Sequence, residues 1–181
     1  ILVNPIPSVN SVSSQSVCGG EPINVAFGGP SPTATYNWTN NNTGTGISAS
    51  GAGNISVNTT PSQTTQTGVV TVTPVENGCT GTPITFNATV NAVPLLSPLP
   101  NVAKCAGEPI SVNFSATSGS TFAWTNTNAN VGLPMNGTST GVNFTGTAVG
   151  ITPQTATVQV TPTLGTCTGL PQSFNILVNP I

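Results

Sequence analysis

The amino-acid sequence predicts an all-β protein built as two tandem β-sandwich domains, and three observations carry that prediction. The chain repeats itself. CGGEPINVAF from Cys18 returns as CAGEPISVNF from Cys105 (105 − 18 = 87), and YNWTN around Trp38 returns as FAWTN around Trp124 (124 − 38 = 86). GCTGTPITF from Gly78 returns as TCTGLPQSF from Thr166, with its cysteines 167 − 79 = 88 apart. A repeat of this size is a whole small domain rather than a solenoid unit, and offsets that drift by one residue put the length changes in loops. Within each repeat the apolar residues alternate with Thr, Asn and Ser, the period of half-buried antiparallel strands. Gly, Pro and Asn clusters separate these runs, and no segment has a helical period.

Taken in order, each repeat supplies about seven short strands. In the first, A follows Pro7, and B spans 22–27 with Ile23, Val25 and Phe27 inward. C spans 35–40 with Tyr36 and Trp38, E spans 54–58 with Ile55 and Val57, F spans 68–75 with Val70 and Val72, and G spans 83–91 with Phe86, Ala88 and Val90. The second repeat matches them with Ile110, Val112 and Phe114; Phe122 and Trp124; Val142 and Phe144; Val158 and Val160; and Phe174, Ile176 and Val178. The predicted core is therefore centred on Trp38, Trp124, Phe27, Phe114, Phe86 and Phe174. Asn77-Gly78 is a strong hairpin turn between F and G. The boundaries fall at 1–93 and 94–181, with Val93–Pro100 read as a stiff Pro/Leu connector. ILVNPIP at the start and ILVNPI at the end suggest a stretch of a longer array, residues 1–4 being the end of a preceding repeat.

Composition excludes most chemistry. The chain has one basic residue, Lys104, three acidic ones, Glu21, Glu76 and Glu108, and no His. Without His or Asp no Ser–His–Asp or Cys–His arrangement and no His-containing or Asp-rich metal site can be assembled, and no paired carboxylates sit at matched positions within one repeat, so neither an enzyme nor a cofactor or metal is expected. Four cysteines, two per repeat and far apart in sequence, do not form a zinc cluster. One positive charge cannot hold a phosphate backbone, so nucleic acid is not a partner. No apolar run reaches membrane-spanning length, so membrane insertion is not expected either.

Individual residues have plain structural readings. Trp38 and Trp124 stand where strand C of a sandwich carries its core Trp, which is favoured over an exposed sugar platform. Glu21 and Glu108, just before Pro and strand B, are expected to hold a turn by accepting backbone N–H bonds. Lys104, with Val17 at the matched position, reads as a solvated loop residue. The eight Asn-x-Ser/Thr tripeptides, from Asn37 to Asn143, are taken as accidents of an Asn/Thr-rich chain.

Cys-x-Gly-Glu-Pro before strand B, Tyr/Phe-x-Trp-Thr on strand C, Gly/Thr-Cys-Thr-Gly after strand F and the closing Val-Asn-x-x-Pro together resemble the PKD-like, immunoglobulin-like tandem repeats of giant Bacteroidota cell-surface adhesins, the gliding-motility adhesin among them. The acidic, Gly-rich segment that usually follows the strand C Trp is replaced here by Thr39-Asn40-Asn41-Asn42. The resemblance implies a secreted protein of the bacterial cell surface, exported by the type IX route, in which these domains are a stalk or filament.

In an oxidising compartment Cys18, Cys79, Cys105 and Cys167 are disulfide candidates. Pairing within a repeat, Cys18–Cys79 and Cys105–Cys167, would stabilise each domain by ~4 kcal/mol in the chain-entropy model. In an immunoglobulin-like sandwich, however, the A–B and F–G turns lie at opposite poles, roughly 20–30 Å apart, too far for a disulfide. The favoured pairing is Cys18–Cys167 between repeats, with Cys79 and Cys105 bonding to neighbouring repeats. The expected function is that of structural repeats giving reach, stiffness and protease resistance to a large adhesin. The alternatives are a glycan-binding module using loops such as Asn40-Asn41-Asn42-Thr43, and lateral self-assembly through uncharged sheet edges.

Overall fold

The computed structural model describes residues 4–181. The chain divides into two compact units, 1–92 and 93–181. Of the segment read as the end of a preceding repeat, residues 1–3 lie outside the described residues.

In unit 1 the strands are β1 (Gln15–Cys18), β2 (Pro22–Val25), β3 (Thr35–Asn40), β4 (Ser50–Ala52), β5 (Ile55–Asn58), β6 (Gln66–Glu76), β7 (Cys79–Thr80) and β8 (Ile84–Asn91). Unit 2 repeats them as β9 (Val102–Cys105), β10 (Pro109–Asn113), β11 (Thr121–Asn126), β12 (Asn136–Gly137), β13 (Gly141–Thr145), β14 (Gln154–Leu164), β15 (Cys167–Thr168) and β16 (Gln172–Asn179). Each unit is a two-layer sandwich. A large sheet runs β1-β8-β6-β3-β4, with β7 also on β6, and faces the two-stranded sheet β2-β5. The second unit has β12-β11-β14-β16-β9, with β15 on β14, facing β10-β13.

The period of two becomes the core directly. Val70 and Val72 on β6, Val158 and Val160 on β14, and Ala88 and Ile176 beside them are fully buried. Trp38 and Trp124 are also buried, each edge-on to a glycine of the neighbouring strand. A Cβ at Gly51 would lie 2.2 Å from Trp38 Cζ2, and one at Gly137 would lie 2.4 Å from Trp124 Cζ2. Their indole N–H groups donate to Gly53 O and to Ser139 Oγ, both at 3.0 Å. Phe114 sits between Phe122 and Phe174, at centroid distances of 5.9 and 6.4 Å. Phe27 stands in the same way between Tyr36 and Phe86, at 6.1 and 6.3 Å. It is only half-buried, however, and strand B ends at Val25, because the Phe27 N–H turns to the Asn54 side chain (3.0 Å). Phe86 and Phe174 are buried.

Three sequence expectations need correction. Val93–Pro100 is not a connector. Leu96 is 2 % exposed in the core of unit 2, its carbonyl accepts from Gln172 Nε2 (2.8 Å), and Ser97 N–H bonds Ser115 O (2.8 Å). Leu96 and Leu99 cover a surface, and that surface is their own domain's core, while Leu95 stays exposed. Strand A is a segment that changes sheets. Asn10 N–H bonds Gly28 O beyond the end of β2, whereas Gln15–Cys18 pair in parallel with β8. Lys104 is a strand residue on β9, in register with Val178, at the free edge of the large sheet and 3.8 Å from Glu108. A lysine there discourages edge-to-edge pairing on that side.

The Trp–Gly contact leaves no room for even one methyl, and overpacking of this kind costs about 1–3 kcal/mol. Gly51→Ala is therefore expected to lower the unfolding midpoint of unit 1 alone, and Gly137→Ala that of unit 2 alone. Denaturant titration followed by tryptophan fluorescence checks both.

Candidate functional site

The features that bear on function are gathered at the two poles of each unit, and the length of the central strand sets how far apart they lie. At one pole of unit 1, Cys18 ends β1 opposite Asn91, the last residue of β8, next to Val90, which pairs with Gln66. At the other, Cys79 on β7 pairs with Glu76. Ten residue steps of β6 separate the two, about 30 Å. Unit 2 repeats the arrangement, with Cys105 opposite Asn179 and Cys167 opposite Leu164. Since disulfide Cα atoms must come within about 7 Å, neither unit can close a bond between its own cysteines. Cys18 and Cys167 are in disulfide form, and Cys79 and Cys105 are free thiols.

The poles are built by the repeated motifs. Cys18-Gly19-Gly20-Glu21 is a tight turn. Glu21 N–H bonds Cys18 O (3.0 Å), Gly20 has φ +95°, and the Glu21 carboxylate accepts the Cys18 N–H (2.8 Å). Glu108 accepts the Cys105 N–H in the same way (2.7 Å). The matched glutamates thus fix where the cysteine backbone ends, as turn-holding carboxylates. At the opposite pole Asn77 (φ +49°) and Gly78 (φ +81°) form the predicted hairpin turn, which places Cys79. The glycine that closes each Cys-Thr-Gly motif is required by close approach: a Cβ at Gly81 would meet Pro7 O at 1.8 Å, and one at Gly169 would meet Pro94 O at 2.2 Å. Cys79 and Cys167 therefore mark the pole where the chain begins its domain, and Cys18 and Cys105 the pole where it leaves.

The Asn-rich loop, the candidate glycan contact, is spent on the protein itself. Asn40 is 7 % exposed, and its Nδ2 donates to Asn42 O, Thr45 Oγ1 and Ile47 O at 2.8–3.2 Å. Asn41 Oδ1 accepts the Val69 N–H, while Asn42 donates to Thr67 O and caps the short 3-10 turn Thr43–Thr45 through Gly44 N–H. In unit 2, Asn126 is 3 % exposed and donates to Asn128 O, Leu133 O and Pro134 O. Sequence reading missed this plug, although its signal was present. Residues 36, 38 and 40 share one face of the strand, so the face that buries Tyr36 and Trp38 buries Asn40.

Glu76 follows the same parity inward from Val70 and Val72. It is 8 % exposed, and the hydroxyls of Ser31 and Thr33 donate to its Oε1. These bonds hold the carboxyl below its usual 4.5, outweighing the opposite effect of burial. Unit 2 has Leu164 at this position. Among the described residues no three His, Cys, Asp or Glu side chains gather as a metal site, and no helix is long and apolar enough to cross a membrane.

Two substitutions check these assignments. Asn126→Ala leaves three carbonyls without their donor and is expected to destabilise unit 2 by about 2 kcal/mol or more, read from its denaturation midpoint. For Glu76 the folded pKa is depressed. Its stabilisation is thus present above the unfolded carboxylate range and is lost as pH falls through the lower folded value. Unit 1 is expected to lose stability on acidification below about pH 4.5, and Glu76→Gln is expected to flatten that part of the pH profile.

No protein-family model matches the chain, and no curated protein matches it. Solved structures do. Hemolin, an insect immune protein whose crystal structure is described as having implications for homophilic adhesion, superposes with a TM-score of 0.50 at 16% identity, over 97% of this chain and 47% of that one. An I-band fragment of titin gives 0.49 at 10% identity, over 98% and 66%. The IG1+IG2 pair of DIP-gamma gives 0.47 at 8% identity, over 97% and 98%. At 16% identity the likeness to hemolin is one of fold, and it agrees with the two-layer sandwich that each unit forms: the chain is a pair of tandem immunoglobulin-like domains.

Proposed function

We propose that these domains are structural spacer repeats of a large bacterial surface adhesin, exposed outside the cell and braced between domains by Cys18–Cys167. The observation that carries this reading is that each unit holds its two cysteines at opposite poles. Cys18 marks the pole where the chain leaves unit 1, and Cys167 the pole where unit 2 begins, so chain continuity favours a bond across the junction. Cys79 and Cys105 occupy the matched positions at the two remaining poles. There they would take the cysteines of a preceding and a following repeat, extending the same brace along an array. Extension then meets covalent bonds as well as domain stability, which suits a filament under tension.

Composition supports the same use. One lysine and no arginine give trypsin-like proteases a single target bond, and that bond lies at the end of β9. A chain so poor in charge attracts neither nucleic acid nor anionic lipid electrostatically. The PKD-like assignment and export by the type IX route belong to this reading as consequences of the motif resemblance. The loop-based glycan reading loses its support, because the amides of Asn40, Asn41 and Asn42 are engaged within the domain.

The test is a tryptic digest of urea-unfolded, unreduced protein. The only cleavage follows Lys104 and separates Cys18 and Cys79 from Cys105 and Cys167. The halves are expected to stay joined until reductant is added, and iodoacetamide is expected to label Cys79 and Cys105 beforehand. Halves that separate without reductant overturn the brace.

A further inference from the structure

The large sheet of unit 2 carries an open hollow of about 370 Å³ on its outward face. Thr155 and Leu177 are register partners across β14 and β16, as are Thr157 and Asn175, so the four side chains form a block, with Thr127 beyond the end of β11 at its rim. Leu177 is half-buried and gives the hollow an apolar wall, while the hydroxyls and the amide surround it. Thr157 Oγ1 donates to Asn175 Oδ1 (3.0 Å), which leaves the Asn175 amide protons facing out. Thr127 Oγ1 accepts the Thr157 N–H (2.9 Å) and keeps its own proton to donate. No charge lines the hollow, and the Lys104–Glu108 pair stands at the Val178 register, on the opposite face by strand alternation.

We propose that this hollow is a binding site for a neutral hexose unit of a glycan. A sugar ring has an apolar C–H face and a rim of hydroxyls that both donate and accept, the complement of a leucine wall ringed by Thr and Asn. A phosphate or carboxylate ligand would find no cation here, and an extended peptide would add to a sheet edge rather than a sheet face. Unit 1 supplies an internal control. Its matched face has Val69 for Thr157 (157 − 69 = 88) and Thr89 for Leu177 (177 − 89 = 88), and the hydroxyls of Thr67 and Thr89 bond to each other (3.2 Å). The inference goes beyond the spacer reading, since the brace and the hollow do not depend on one another.

The experiment is amide chemical-shift titration of the full chain with methyl glucoside and methyl mannoside, and with glucuronate for contrast. Saturating shifts are expected at Thr155, Thr157, Asn175 and Leu177, and not at Thr67, Val69 or Thr89. The dissociation constant is expected to be on the order of millimolar, as befits a shallow site. Leu177→Thr with Thr157→Val installs the residues that unit 1 already carries on the same strands, and is expected to weaken binding at least about tenfold. Thr155→Ala provides a second variant should that pair fail to fold. Absence of saturation with either neutral sugar, equal shifts on unit 1, a preference for glucuronate, or affinity unchanged in the variants would each overturn the site.

Discussion

The central strand of each large sheet, β6 in unit 1 and β14 in unit 2, is the constraint on which the rest of each domain depends. It pairs along its length with β3 and β8, or with β11 and β16, and its inward valines are fully buried. Once that parity is fixed, so are its consequences. Pro74 and Glu76 must face inward with Val70 and Val72, and the outward row must be Thr and Val. Its length also sets the distance between poles. That length keeps the two cysteines of one domain about 30 Å apart, beyond the reach of a disulfide.

A sandwich with so few charges must pair its buried polar groups by other means, and it does so with amides and hydroxyls, Glu76 Oε2 being left without a partner among the described residues. Asn40 and Asn126 each tie the loop after the Trp strand back to that strand, donating to carbonyls that would otherwise be orphaned. Buried polar groups of this kind are tolerated only when paired, because an unpaired one costs more than the bond itself contributes. Glutamate appears only where backbone N–H groups or hydroxyls converge on it, at the two Cys-x-Gly-Glu turns and beside Ser31 and Thr33. The absence of charge is thus compatible with a specific core.

Poles and faces divide the work of the molecule. The poles carry the glycine-dependent turns and the cysteines. The outward faces of the large sheets carry uncharged Thr, Asn and Ser, which hydrate well and hydrogen-bond without electrostatic steering. The two repeats keep their poles and vary their faces, as Leu177 and Thr89 do at matched positions.

Sequence alone determined the domain repeat, the all-β class and most of the strands, because a period of two and glycine-marked turns are local signals. Strand C at 35–40 coincides with β3, and strands F and G fall within a residue or two of β6 and β8. The Trp positions followed from the same local logic. Val93–Pro100 was not legible in the same way, since a proline-rich stretch looks alike whether it spans a gap or lies on its own domain; only the fit of Leu96 into the core decides. Nor could composition reveal that Asn40 and Glu76 point inward. Their strand parity says so, but polarity argues the reverse, and the conflict is resolved only by the partners the fold supplies: Ser31 and Thr33, distant in sequence, for Glu76, and the folded-back loop that follows it for Asn40. Tertiary structure decides these positions because burial of a polar group depends on what stands opposite it, which residue type and strand parity do not specify.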